Sequence, residues 1–228
     1  MKSRAGLHLM SKIWLTRTRP AADESAKQWR AAGFDPIVEP LLEIEPVHHE
    51  PIPTEAVVIF TSKNGVAHTV CGGQRAICVG NATAEKAKAA GYRDVVSVDG
   101  TSAEVKRWLC ENLPKTQIIY HASGWYAYGS ITEYLLRMGY RASRVKTYRS
   151  VPRRIWPEGV VSYVAFYSSL AAQVFASLSD NRDISGLTAV CISQNNAREL
   201  TGLALKSIHI AKRPREDELI MATRASRA

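Results

Sequence analysis

Residues 57–65 read VVIFTSKNG, four apolar residues followed by a turn of hydroxyls, a cation, an amide and a glycine. An apolar run of this length without polar alternation suits a strand covered on both faces, as in a parallel sheet flanked by helices. The same grammar recurs along the chain. Ile13 to Leu15, Val57 to Thr61, Ala76 to Val79, Val95 to Val98, Ile118 to Tyr120, Tyr163 to Tyr167, Ala189 to Ile192 and Ile208 to Ala211 all read as strands, with helical stretches between them. The expected class is α/β.

The intervening helices carry start and stop signals. Pro20 opens a run in which Ala22, Ala26 and Trp29 share a face, and Gly33 ends it. Thr101 with Glu104 spells a capping box, as does Ser130 with Glu133 ahead of a helix closed by Gly139; Asn196 with Glu199 imitates the pattern before Leu200. A weak internal repeat also emerges, at a spacing of about 105 to 113 residues. WLTRTRP, AGF and PIVEPLLEIEP correspond to IIYHASG, MGY and RVKTYRSVP; VVIFTS corresponds to YVAFYSS, and ICVGNATAEKA to VCISQNNAREL. Such a duplication predicts two similar lobes, with proline-bounded extended crossings near 40–46 and 146–152. One lobe is then discontinuous, 10–41 plus 151–223, and the other spans 47–146; 1–9 and 224–228 are expected as disordered tails.

The 228 residues contain 46% apolar and 22% charged side chains, the balance of a folding chain. Net charge is +9. Much of the excess is terminal: Lys2, Arg4 and Lys12 stand among the first twelve residues without an acid, and residues 212–228 hold five bases against three acids. The body is only mildly basic, so a nucleic-acid footprint is not expected. No leader or bilayer-spanning run is visible, which places the chain in the cytoplasm with no membrane partner. Cys71, Cys78, Cys110 and Cys191 lack metal or redox spacing and read as reduced, mostly buried thiols.

Parallel sheets bind ligands beyond the carboxyl ends of their strands, where turns entering helices expose N–H groups. Five such turns stand out: Thr16-Arg17-Thr18-Arg19-Pro20, Thr61-Ser62-Lys63-Asn64-Gly65, Gly80-Asn81-Ala82-Thr83, Ser168-Ser169, and Ser193-Gln194-Asn195-Asn196. On two lobes they would line a cleft suited to carboxylates or phosphates. Each also has an ordinary explanation, since Ser, Thr and Asn cap helices. No phosphate-loop, dinucleotide, zinc-protease or nucleophile-elbow pattern is present. No metal or cofactor is expected, and the chemistry depends on positioning rather than on a strong nucleophile.

At these residues the chain resembles the uroporphyrinogen-III synthase family, through WLTRTRP, the helix ending AAGF, PLLEIEP, FTSKNGV, VGNATAEKAKAAGY, TYRSVP, FYSS and the closing IHIAKRP. The resemblance implies two flavodoxin-like parallel-sheet lobes joined by a two-stranded extended linker, working as a monomer without cofactor. It implies a linear tetrapyrrole substrate, hydroxymethylbilane, whose eight carboxylates sit on a flexible backbone. Loss of the terminal hydroxyl, attack by the substituted carbon of the last pyrrole, and opening and reclosure of a spiro intermediate would give the macrocycle with one ring inverted.

Tyr148, in TYRSVP, matches the tyrosine that assists departure of the hydroxyl in the family, or else it packs the linker. Thr83, Ser62 and Ser168 match residues that face the substrate. Thr16, Asn64, Ser169, Ser193 and Asn196 complete the expected substrate set, with Arg17 and Arg19 either meeting carboxylates or pairing with surface acids. Two turns depart from the family pattern. Ser193-Gln194-Asn195-Asn196 stands where a Gly-Pro-Thr-Thr type turn is common, so a contact there falls to the Asn196 amide or to backbone. HASGWYAYGS is aromatic where arginine is frequent, with Trp125, Tyr126 and Tyr128 either lining a cleft or covering a lobe. A non-catalytic, two-lobed binder of a small polyanion is the alternative function.

Overall fold

The computed structural model describes residues 10–126 and 131–226. The chain begins with β1 (Lys12–Leu15), α1 (Ala21–Ala31) and β2 (Asp35–Val38), then runs out through β3 (Leu42–Pro46). Next come β4 (Val57–Phe60), α2 (Lys63–Ala67), β5 (Arg75–Cys78), α3 (Asn81–Ala89), β6 (Arg93–Ser97), α4 (Ser102–Asn112), β7 (Ile118–Gly124) and α5 (Ile131–Arg137). The long β8 (Arg141–Pro152) returns the chain to β9 (Tyr163–Phe166), α6 (Ser169–Leu178), β10 (Thr188–Cys191), α7 (Gln194–Arg198), β11 (Ser207–Ile210) and α8 (Glu216–Ala225).

These elements form two compact units, one from the residues up to Glu43 and from Val151 onward, the other Ile44–Ser150. Both unit boundaries fall inside β3 and β8, which neighbour each other in one sheet. Leu41 O accepts from Arg153 N while Val47 N donates to Thr147 O, so the two strands run antiparallel.

The first unit's sheet has the order β2-β1-β9-β10-β11, and the second unit's parallel strands have the order β8-β7-β4-β5-β6, with β3 added at the edge. Both are the flavodoxin-like 2-1-3-4-5 order once corresponding strands are matched. Even the registers agree: Ile13 stands opposite Tyr163 as Ile119 stands opposite Val57. This is the structural form of the internal repeat.

Each strand feeds two cores, which is why its apolar run does not alternate. In the first unit Trp14, Val164 and Phe166 pack on one face of the sheet with Phe175, while Ile13, Leu15 and Ala165 pack on the other with Trp29 and Phe34. In the second unit Val58 and Phe60 face Val66, Ala84 and Tyr92, while Val57 and Ile59 face Val105, Leu109 and Leu135. All four cysteines are free; burial pushes the Cys78 and Cys191 thiols up to about 12, leaving them inert packing groups.

All eight strands read from apolar runs are present. The sheets recruit three more segments, β2, β3 and β8, that are extended in the sequence reading but carry proline and charge. β2 holds Pro36 and β3 ends at Pro46, both on sheet edges, where a missing N–H costs no interior ladder bond. The Thr101 and Glu104 capping box is formed. That of Ser130 lies outside the described residues. Asn196 does not cap a helix: α7 starts one turn earlier from Ser193, which puts Asn196 inside it and buried. Residues 224–226 of the expected C-terminal tail instead end and cap α8, with Arg224 Nη2 bonded to Ala32 O at 2.9 Å. Residues 1–9 and 227–228 of the expected tails lie outside the described residues.

Candidate functional site

In a sheet of this order the connections leave in opposite directions at one point, opening a crevice beyond the strand ends where ligands bind. In the first unit that point lies between β1 and β9, so the crevice is bounded by the Thr16–Pro20 turn and by Tyr167–Ser169. In the second it lies between β7 and β4, bounded by Gly124-Trp125 and by Thr61–Asn64. Three of the sequence's five candidate turns, together with the HASGW stretch, therefore fall at two topologically equivalent places.

The first unit's crevice is tied together from within. Glu216, at the start of α8, accepts four hydrogen bonds: from Trp29 Nε1 and Tyr167 Oη at 2.7 Å each on Oε1, and from Ser25 Oγ at 2.9 Å and Arg17 Nη1 at 3.0 Å on Oε2. Arg17 also lies over the Tyr167 ring, 4.5 Å from its centroid. Burial and the Glu216 charge push the Tyr167 phenol well above its ordinary value, so it stays protonated and donates. Arg17 forms an ion pair with Glu216 inside the first unit. Arg19 pairs with Asp23, one helical turn on, and lines a cavity of about 380 Å³ with Lys27 and Arg30.

Several expected substrate residues face inward. Thr16 is fully buried and its hydroxyl donates to Ala165 O at 2.7 Å, so it locks β1 to β9 instead of pointing outward. Asn196 is also buried: its Nδ2 donates to Phe166 O at 3.1 Å and its Oδ1 accepts from Ser193 Oγ at 2.8 Å. The amide thus braces the turn after β9 and leaves any ligand contact of that segment to backbone. Ser169 Oγ lies 3.5 Å from the same oxygen. Ser168 caps α6 through Ala171 N at 3.2 Å. Thr83 is nearly buried in the first turn of α3, whose cap residue Gly80 offers no side chain.

The second unit's crevice is built differently. Ser62 caps α2 through Asn64 N at 3.1 Å, and Asn64 is half-buried within that helix. Gly65 explains the NGV signature: a Cβ there would sit 2.8 Å from Ala122 O, so only glycine lets α2 lie against β7. His121 lies buried beneath the turn, its Nε2 3.3 Å from Thr61 Oγ1. Burial, with the Arg144 charge second, lowers the imidazole to about 4, so it is neutral.

Tyr148 is placed on β8 opposite Gly124, the last residue of β7, and its carbonyl accepts from Trp125 N at 2.7 Å. Its half-buried ring lies 6.1 Å from that of His68, which follows α2. Partial burial, and then Lys86, lower the His68 pKa. Trp125 is 44% and Tyr126 72% exposed, with Lys146 Nζ 4.3 Å from the Trp125 ring centroid; Tyr128 lies outside the described residues. The sequence reading missed His68, His121 and Glu216, since an isolated histidine or a glutamate in a charged terminal stretch carries no local signal.

The model of the family described as Uroporphyrinogen-III synthase HemD matches residues 23–221. The chain belongs to this family. Uroporphyrinogen-III synthases are hydro-lyases of tetrapyrrole biosynthesis, and the chain is an enzyme of that class. Among solved structures, uroporphyrinogen-III synthetase from Helicobacter pylori 26695 is similar with TM-score 0.68 at 18% identity, over 95% of this chain and 100% of the other. A mutant uroporphyrinogen III synthase from the extremely thermophilic bacterium Thermus thermophilus is similar with TM-score 0.50 at 16% identity, over 95% and 99%. At these identities the likeness is one of fold. No curated protein matches the chain. No helix of the described residues is long and apolar enough to cross a membrane, and no described cluster of acids, histidines and cysteines could hold a metal ion.

Proposed function

We propose that the chain converts hydroxymethylbilane to uroporphyrinogen III, and that Tyr148 assists departure of the terminal hydroxyl. The observation that carries this reading is the position of Tyr148 at the carboxyl end of β7, between the elements that leave β7 and β4 at the second unit's crevice. A phenol there can give its proton to the leaving oxygen as its bond to carbon breaks, so that the oxygen departs as water, and the proton released at ring closure restores the phenol. The substituted carbon of the last pyrrole then bonds to the exposed methylene carbon. Fragmentation and reclosure of the spiro intermediate, with loss of a proton, complete the ring.

Holding the chain in the productive shape is the larger part of the task, because the unbound substrate closes head to tail. First-turn N–H groups of α3 and α6 are suited to its carboxylates, since helix starts carry partial positive charge and unshared donors. Thr83 and Ser168 stand beside those donors, Ser62 stands at the start of α2, and these three are the side chains proposed to share the binding. Arg17 acts on this reading by fixing the first unit's turn, and the substrate carboxylates are left to backbone, hydroxyls and the exposed cations Lys63 and Lys146.

Supplying freshly generated hydroxymethylbilane and separating the products tests the proposal. Uroporphyrinogen III as the main isomer is expected. A product mixture in which type I dominates, as in buffer alone, would identify a passive binder and end the enzymatic reading.

A further inference from the structure

Two features of the neighbouring strands determine where the Tyr148 phenol stands, and neither belongs to the chemistry described so far. The first is a slip in register. β7 and β8 pair residue by residue from Ile118 opposite Arg141 to Ser123 opposite Lys146, after which Gly124 stands opposite Tyr148, so Thr147 is an extra residue. Bulges are rare in parallel pairs and concentrate beside active sites, where they re-aim a side chain. Thr147 turns inward and is fully buried, its carbonyl accepts from Val47 N at 2.9 Å, and Tyr148 is thereby laid over the end of β7.

The second feature is the glycine beneath the ring. A Cβ on Gly124 would lie 2.9 Å from both Cε2 and Cζ of Tyr148 and 3.1 Å from its Oη. Carbon atoms in contact need about 3.5 Å or more, so any side chain at this position displaces the phenol. The seat itself is braced. Arg144 donates from Nε to Ser123 Oγ at 2.8 Å and from Nη2 to the carbonyls of Gly124 at 2.5 Å and Trp125 at 2.9 Å.

We infer that Gly124 is a positioning residue of the reaction: its missing side chain, together with the bulge at Thr147, sets the place of the Tyr148 hydroxyl. The inference rests on the reading of Tyr148 as a participant. It assigns a reason to the glycine in the HASGW stretch, which the family resemblance left as a departure.

The test is Gly124→Ala, alone and combined with Tyr148→Phe, in full-length protein carrying 3-fluorotyrosine. The chain has nine tyrosines, and the Tyr148 fluorine resonance is assigned by its loss in Tyr148→Phe. Gly124→Ala is expected to move that resonance and to lower kcat by about ten- to a hundredfold with KM nearly unchanged, the cost of misplacing a reacting group by a fraction of an ångström to an ångström. Adding it to Tyr148→Phe should cost nothing more. An unmoved resonance, an unchanged kcat beside an impaired Tyr148→Phe, or an equal further loss in the Phe background overturns the role of Gly124 alone. Wild-type turnover by Tyr148→Phe instead removes the reading of Tyr148, and this role with it. If Gly124→Ala does not fold, Gly124→Ala/Tyr148→Ala should fold again, because all three nearest atoms to the new methyl belong to that ring; a double variant that stays unfolded also overturns the inference.

Discussion

The two units share strand order and register, yet their crevices hold opposite chemistry. In the first, between β1 and β9, the polar side chains satisfy one another: Glu216 takes up Arg17, Ser25, Trp29 and Tyr167, and Thr16 bonds across to β9. In the second, between β7 and β4, a neutral buried histidine supports the turn and a tyrosine reaches the strand end from β8. A duplicated backbone thus supplies two places of the same shape, and a handful of side chains decides whether each is braced or reactive.

The contrast is most exposed at its reactive side. Tyr148→Phe is expected to slow turnover by about a hundredfold or more, the range of a lost proton donor, with stability unchanged in a urea melt. Turnover within about twofold of wild type would return Tyr148 to a packing role and make the crevices chemically alike. At the braced side, Glu216→Ala should destabilise the protein by about 2 kcal/mol, because it takes the acceptor from the buried Tyr167 phenol and the counter-charge from the partly buried Arg17, while Trp29 Nε1 keeps Tyr167 Oη and Arg17 Nη1 keeps Ser25 Oγ. Denaturant melts measure this, and a cost below about 1 kcal/mol would mean that the network is incidental.

His121 adds a difference in acid sensitivity. Its folded pKa of about 4 lies below the ordinary 6.5, so the unfolded chain binds the proton more readily. Its contribution is fully present above pH 6.5 and falls as the pH drops through 4, a loss on the order of 2 kcal/mol at pH 5. His121→Gln should flatten that part of the stability profile, and an unaltered slope would show that the imidazole does not carry it. The smallest effect separates capping from binding at equivalent positions: Ser62→Ala and Ser168→Ala should each cost about 1 kcal/mol as lost caps. A raised KM beyond that destabilisation assigns the hydroxyl to substrate as well, and an unchanged KM assigns it to the helix alone.

The legible parts of the sequence were those whose signal is local. VVIF, YVAF and TAVC are buried on both faces, and their continuous apolarity says so; the Thr101 box and the Gly33 stop need only neighbours within a turn. β2, β3 and β8 were visible only as extended chain: β2 and β3 are sheet edges, which tolerate proline and charge, and β8, between β3 and β7, leaves most of its side chains partly or fully exposed, so no continuous apolar run marks it. Asn196 misled because its cap-like spacing is also that of a residue one turn inside a helix begun by Ser193. The Glu216 partner of Arg17 was invisible because it comes from α8, nearly two hundred residues away in sequence.

Composition, apolar runs and the repeated turns were enough to determine an α/β chain of two similar lobes, since burial on both faces and helix capping are written within a few residues of one another. Which polar groups turn inward, which phenol rests on which glycine, and which carboxylate silences which arginine were decided only when distant segments met, because a hydrogen bond or a steric seat depends on distances in space that no single stretch of sequence contains.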